Sequence, residues 1–211
     1  MNTKEIREHK LGLKLTDRQR AIIVGLLLGD GHLETQNNTR TYRLKVEHGS
    51  AQSDYVHWLF QELREWIPSD KPYVKVRKDG VQNVGFTTYS HGVLRFYGQQ
   101  FYEGKRKRMP KIIGKMIEPI SVAVWFMDDG SRKSARHLCY IIHTLGFSKT
   151  DLEFAQNALR SRFGIHTIQH RQKGKYWRLY IPSDSARQFE SLIEEYIRPI
   201  ASLKHKLVTN A

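Results

Sequence analysis

Val24-Gly25-Leu26-Leu27-Leu28-Gly29-Asp30-Gly31 and Val122-Ala123-Val124-Trp125-Phe126-Met127-Asp128-Asp129-Gly130 are two apolar runs, each ending in Asp-Gly. Thr16 or Asp17 can cap a helix that carries the first run over 18–30, and a second helix is expected over 121–129. A carboxylate is poorly placed at a helix C-terminus, where the dipole is already negative. Something positive should therefore sit beside each end. Two such ends side by side would gather two carboxylates and several free carbonyls, a donor set for hard divalent cations, with Mg²⁺ the natural candidate. Gly25 and Gly29 carry no side chain to hold the helix backbones apart.

Outward from the first run, 41–48 alternates as a half-buried strand, with Tyr42, Leu44 and Val46 on one face and Arg43, Lys45 and Glu47 on the other. A helix follows to Trp66. Strands at 73–78 and 84–89 turn around Asp79-Gly80, with Val74 and Val76 expected inward and Tyr73, Lys75 and Arg77 outward. A helix over 91–102 leads into the basic run Lys105-Arg106-Lys107-Arg108. From Pro119 the order repeats: a helix, a strand over 138–145, a helix over 149–163, a hairpin of 167–171 and 176–181 around Gly174, and a helix over 183–196. Asp30 and Asp129 are 99 residues apart (129 − 30), and so are Lys107 and Lys206 (206 − 107). Matching order and spacing make this an internal repeat.

The chain's 211 residues allow one compact domain or two half-domains that share a core. Lys and Arg number 35 against 21 Asp and Glu, a net charge of +14 that points to a polyanionic partner. A hydrophobic fraction of 39% argues for a folded chain. The apolar run 21–28 is far short of the roughly 20 residues that span a bilayer, so no membrane partner is expected. Residues 1–10 are polar and carry Glu5 and Glu8, unlike a secretory segment, which leaves an intracellular protein. Cys139 is the single cysteine, excluding internal disulfides and cysteine zinc sites and reading as a buried neutral thiol.

The two runs resemble the paired motifs of the LAGLIDADG homing endonucleases, in their single-chain, two-motif form, and the resemblance covers residues 15–207. It implies an α+β fold of two pseudo-symmetric αββαββα halves, with the motif helices at the interface and antiparallel sheets forming a DNA-binding saddle. The expected divisions are an extension at 1–14, a first half at 15–108 and a second at 109–211. The implied activity is hydrolysis of both DNA strands at a long asymmetric target. Two or three Mg²⁺ ions would be held by Asp30 and Asp129, with Gly29 and Asp128 contributing. Lys107 and Lys206 match the family's basic residues, which polarise water or stabilise the charged transition state; plain phosphate contact in a basic tail is the simpler role for them. Val124 departs from the motif's Gly. The implied setting is an organelle, mitochondrion or chloroplast, or a bacterial or archaeal cytoplasm.

On the outward strand faces, Arg43, Lys45, Glu47, Lys75 and Arg77 in the first half and Gln169, Arg171, Arg178 and Tyr180 in the second are the candidate DNA contacts. Arg and Lys suit guanine edges, Gln suits adenine and Glu cytosine. Strands of about 8 to 10 residues at roughly 3.3 Å each would cover about nine base pairs per half. The repeat supplies both halves of a pseudo-twofold interface, so a monomer is expected. The rival reading is an RNA-binding maturase without nuclease activity, whose partner is the host intron RNA.

Overall fold

The computed structural model describes residues 3–133 and 138–207. Residues 134–137 and 208–211 of the expected second half, and 1–2 of the extension, lie outside it. The extension forms a helix, α1 (Thr3–Gly12), with no buried residue. It is held by His9 against the Glu65 carbonyl at 3.0 Å and by His91 against the Lys10 carbonyl at 3.1 Å.

The first half runs α2 (Asp17–Leu28), β1 (His32–Glu34), β2 (Arg43–Gly49), α3 (Ser53–Glu62), β3 (Tyr73–Val76), β4 (Gln82–Thr87) and α4 (Arg95–Phe101). A two-stranded ribbon, β5 (Tyr102–Glu103) and β6 (Arg106–Lys107), leads to the second half. That half runs α5 (Pro119–Asp129), β7 (Gly130–Arg132), β8 (Tyr140–Ile142), α6 (Lys149–Phe163), β9 (Ile168–Gln172), β10 (Tyr176–Ile181) and α7 (Ser183–Ile197). Sheet orders β1-β2-β4-β3 and β7-β8-β10-β9 are the same topology twice, antiparallel throughout. The αββαββα order expected of each half is therefore observed.

Thr16 is the cap of α2: its hydroxyl accepts from Gln19 N, and the Gln19 side chain accepts from Thr16 N. From Ala21 to Leu28 every residue of α2 is buried, and so is every residue of α5 from Ile120 to Met127. Helices apolar all round must be covered all round. Each is covered by the other and by its own half, and one hydrophobic core runs through both halves. A Cβ on Gly25 would lie 2.6 Å from the Ser121 carbonyl oxygen and 2.7 Å from Val124 Cβ. Val124, the residue that departs from the motif, thus fills the space opposite Gly25. The Ser121 hydroxyl donates to the Ala21 carbonyl at 2.8 Å across the same seam.

Two expectations about strands need correction. Val74 and Val76 are 63% and 61% exposed. Val74 pairs with buried Val84 and so points to the helix side, but β3 is an edge strand and the core does not reach beneath it. The strands are also shorter than 8 to 10 residues, with β2 the longest at 7.

Candidate metal centre and nucleic-acid interface

The C-terminal ends of α2 and α5 meet. A Cβ on Gly29 would clash with the Asp128 side chain, its Cβ at 2.6 Å, so Gly29 faces Asp128 as Gly25 faces Val124. Both pairs are separated by 99 residues, and the geometry therefore reproduces the spacing of Asp30 and Asp129. Asp128 is fixed on both oxygens: Oδ2 accepts from Asp30 N at 2.9 Å and Oδ1 from the Tyr55 hydroxyl at 2.7 Å. Ligand atoms of Asp30, His48 and Asp128 all lie within 4.8 Å of one another.

Burial pushes the Asp128 carboxyl up to about 6, with Asp30 adding to the rise and His48 opposing it. It pushes Asp129 up to about 8, with Asp128 and Asp30 adding and Lys107 and Lys206 opposing. Asp128 and Asp129, packed beside Asp30, resist ionising and so call for more positive charge than the chain supplies, and carboxylate and carbonyl oxygens are the donors a hard divalent cation takes. The residues fit such an ion.

The positive charge expected at each helix end is present. Lys107 Nζ donates to the Gly29 and Gly31 carbonyls, both at 2.6 Å. Lys206 Nζ donates to the Met127 carbonyl at 2.5 Å, with the Phe126 and Asp128 carbonyls at 3.4 Å. Both lysines thus cap the carbonyl ends of the motif helices beside the acids. Burial lowers the pKa of each, against the pull of Asp128, Asp129 and Asp30.

Residues opposite one another in an antiparallel pair share a face. In the first sheet the register His32↔Lys45↔Thr87, Glu34↔Arg43 and Glu47↔Gly85↔Tyr73 places Arg43, Lys45 and Glu47 on one face, away from the helices. Lys75, two residues from Tyr73, joins them, and alternation carries Arg77 to the same side. Glu47 accepts from Tyr73 and Asn83, both at 2.9 Å, which with Lys45 and Lys75 hold its carboxyl below the usual range. Arg43 pairs with Glu34 at 2.7 Å and Arg77 with Asp79 at 3.2 Å.

In the second sheet the four expected contacts divide. Arg178 and Tyr180 share a face with His170 and Ile168, their partners across β9. Gln169 and Arg171 pair with Leu179 and Trp177 and so face the helices. Gln169 Nε2 donates to Gln156 Oε1 at 2.8 Å and to the Lys149 carbonyl at 3.2 Å, while Arg171 lies over the Trp177 ring at 5.5 Å. Those two are corrected: the outward residues of β9 are Ile168, His170 and Gln172. On the same face the Tyr180 hydroxyl donates to Cys139 Sγ at 3.0 Å, and Lys133 Nζ lies 4.8 Å over the tyrosine ring. Cys139 is buried, as expected.

His48 and Tyr55 escaped the sequence reading. Their signal was present for His48, which continues the inward series Tyr42, Leu44, Val46 with a polar residue.

This fold and site define a two-motif DNA endonuclease of the homing class. The chain belongs to the LAGLIDADG DNA endonuclease family, whose model matches residues 20–189. It is 27% identical to a probable intron-encoded endonuclease of Wickerhamomyces canadensis, over 99% of this chain and 92% of that protein. It is 24% identical to the cytochrome b mRNA maturase bI2 of Saccharomyces cerevisiae, over 89% of this chain but 46% of the maturase. Its fold matches that of the homing endonuclease I-WcaI bound to its DNA recognition sequence with a TM-score of 0.88 and 26% identity, over 100% of this chain and 95% of that one. No helix among the described residues is long and apolar enough to cross a membrane.

Proposed function

We infer that the protein is an intracellular, monomeric homing endonuclease, with halves at 15–108 and 109–211, that cuts both strands of an asymmetric DNA target with Mg²⁺. The observation that carries this is the meeting of Asp30, Asp128 and Asp129 at the ends of two lysine-capped helices, between two outward sheet faces. Asp30 and Asp129 are charged ligands, Asp128, whose carboxylate accepts from Asp30 N, stands beside Asp30 as a third, and the Gly29 carbonyl keeps one lone pair beyond its bond from Lys107. A divalent cation held there supplies a water of lowered pKa and neutralises charge developing on the phosphate and the leaving 3′-oxygen.

The chain's own residues do the rest. Lys107 and Lys206 fix the helix ends and place two positive charges beside the site of the transition state, where fixed charge is most effective. Arg43, Lys45, Glu47, Lys75, Arg77, Arg178 and Tyr180 are the DNA-facing set, joined by His170. A strand of seven residues covers roughly seven base pairs, which shortens the expected reach of each half. Because the two faces carry different residues, the target is asymmetric. Likeness to a maturase motivates the RNA-binding alternative, but the full set of acids favours cleavage.

The test is a plasmid library exposed to the purified protein in Mg²⁺. Double-strand breaks at one recurrent sequence, lost in EDTA, are expected. Tight binding of a structured intron RNA without any DNA cleavage would favour the maturase reading instead.

A further inference from the structure

His48 closes β2 on its helix-facing side, with a side chain only 4% exposed. Its ring lies against Tyr55, centroids 5.1 Å apart at 59°. Nδ1 stands 3.8 Å from Asp30 Oδ2 and Nε2 stands 3.6 Å from Asp128 Oδ1. Both distances are beyond a normal hydrogen bond, and buried Nε2 has no hydrogen-bond partner among the described residues. A buried polar nitrogen left unsatisfied is costly. Here Nε2 faces the Asp128 carboxylate, itself held by Asp30 N and Tyr55, while Nδ1 faces that of Asp30.

The arrangement is one-sided. His32 pairs with Lys45, and Ser131, 99 residues after His32, pairs with Ile141. Three residues beyond those partners lie His48 and Thr144. The Thr144 hydroxyl donates to the Trp177 carbonyl at 3.0 Å. Across the seam, Gly29 stands where Asp128 stands in the other motif. The repeat thus offers an imidazole and a second acid near Asp30, and a threonine and a glycine at the matching positions near Asp129.

We propose that His48 is a nitrogen ligand of the divalent cation held by Asp30 and Asp128, making that position a mixed nitrogen and oxygen site that favours Mn²⁺ over Mg²⁺, while the position on Asp129 takes oxygen donors alone. Imidazole raises affinity for first-row transition ions and adds little for Mg²⁺, which prefers an all-oxygen octahedron. This rests on the acid cluster being a cation site at all.

The experiment titrates the full-length protein, without DNA, with Mn²⁺ alone and in competition with Mg²⁺, and reads coordination by electron spin-echo modulation from nitrogen-14. Wild type should show nitrogen coupling at one equivalent of Mn²⁺. His48→Gln, which keeps an oxygen donor, should lose that coupling and lower the Mn²⁺ over Mg²⁺ preference by about tenfold. His48→Asn, with urea unfolding to confirm a folded chain, covers the case in which the glutamine variant does not fold. Nitrogen coupling that persists in a folded variant, or an unchanged preference, overturns the proposal and leaves the cation reading standing. Absence of Mn²⁺ binding to wild type, or binding that Asp30→Asn leaves unchanged, overturns both.

Discussion

Lys107 and Lys206, 99 residues apart, perform the same task on opposite motif helices: each turns its ammonium onto the carbonyls of the helix end next to the acids. The acids and lysines form one electrostatic unit, since each lysine steadies Asp129 and each is steadied by all three acids. A residue that held only DNA phosphates would have no such partners within the folded chain.

Replacing either lysine therefore has two consequences. Lys107→Ala should slow cleavage by about 10- to 1,000-fold, as loss of a fixed charge at a transition state does. It should also destabilise the DNA-free protein by about 1–3 kcal/mol, because carbonyls at the α2 end lose their donor. Urea unfolding without DNA checks the second effect. Unchanged stability would return Lys107 to the role of a phosphate contact.

Asp30→Asn and Asp129→Asn should each reduce cleavage by roughly a thousandfold or more, since each removes a charge that holds the catalytic ion. Binding in Ca²⁺ should change by less than about threefold, because the sheet faces are untouched. Quantitative cleavage set against gel-shift affinity separates the two. An Asp129→Asn variant with full activity would show that the ion held by Asp30 and Asp128 suffices for cleavage and remove Asp129 from the catalytic ligands.

Stability should depend on pH in an unusual direction. The Asp129 carboxyl titrates near 8 and Asp128 near 6 in the folded chain, whereas an ordinary aspartate titrates near 4. Between these values the folded state keeps protons that the unfolded chain has released, so stability falls as pH rises from about 5 to 8. Carboxyls held low by their partners, such as Glu34 and Asp151, are ionised in both states there. In EDTA the urea midpoint should drop across pH 5.5–8, and Mg²⁺ should restore it most at the alkaline end. A midpoint that is flat or rising in EDTA would mean that the acids are relieved by some other route.

Much of this architecture is legible in the sequence because burial on all sides leaves no choice of residue. From Ala21 to Leu28 and from Val122 to Met127 the chain had to be apolar, and the repeat of Asp-Gly at matching positions announced the site. What escaped is short or ambiguous. β1 and β7 have three residues each, too few for alternation to show. In β9 polar Gln169 turns inward to Gln156 while Ile168 is 46% exposed, so side-chain polarity named the wrong face. The nearness of His48 and Tyr55 to Asp128 arises from pairing across 80 and 73 residues (128 − 48 and 128 − 55), which no local pattern encodes.

The β9 register makes its own prediction. Arg178→Ala and His170→Ala should each relax discrimination in the half-site under the second sheet, where a well-placed base contact is worth about 1–3 kcal/mol. Gln169→Ala and Arg171→Ala should leave sequence preference unchanged, although the first removes bonds to Gln156 and the Lys149 carbonyl and should lower stability. Cleavage profiling on a library of single-base target variants reads all four. Relaxed preference in Gln169→Ala with an intact Arg178→Ala profile would place the opposite face of β9 on the DNA.

The seam between the halves should be intolerant of one methyl group. A Cβ at position 25 would meet both the Ser121 carbonyl oxygen and Val124 Cβ at under 3 Å, and a backbone carbonyl does not move aside as a flexible side chain would. Gly25→Ala should therefore force α2 and α5 apart and cost about 1–3 kcal/mol, as overpacking of a close-packed core does. Separation also carries Asp30 away from Asp128, so cleavage should fall by more than the loss of folded protein accounts for. Adding Val124→Gly relieves one of the two clashes and leaves the other, so the double variant should recover only part of the stability. Full recovery would show that Val124 alone sets the helix spacing, and that the Ser121 carbonyl yields.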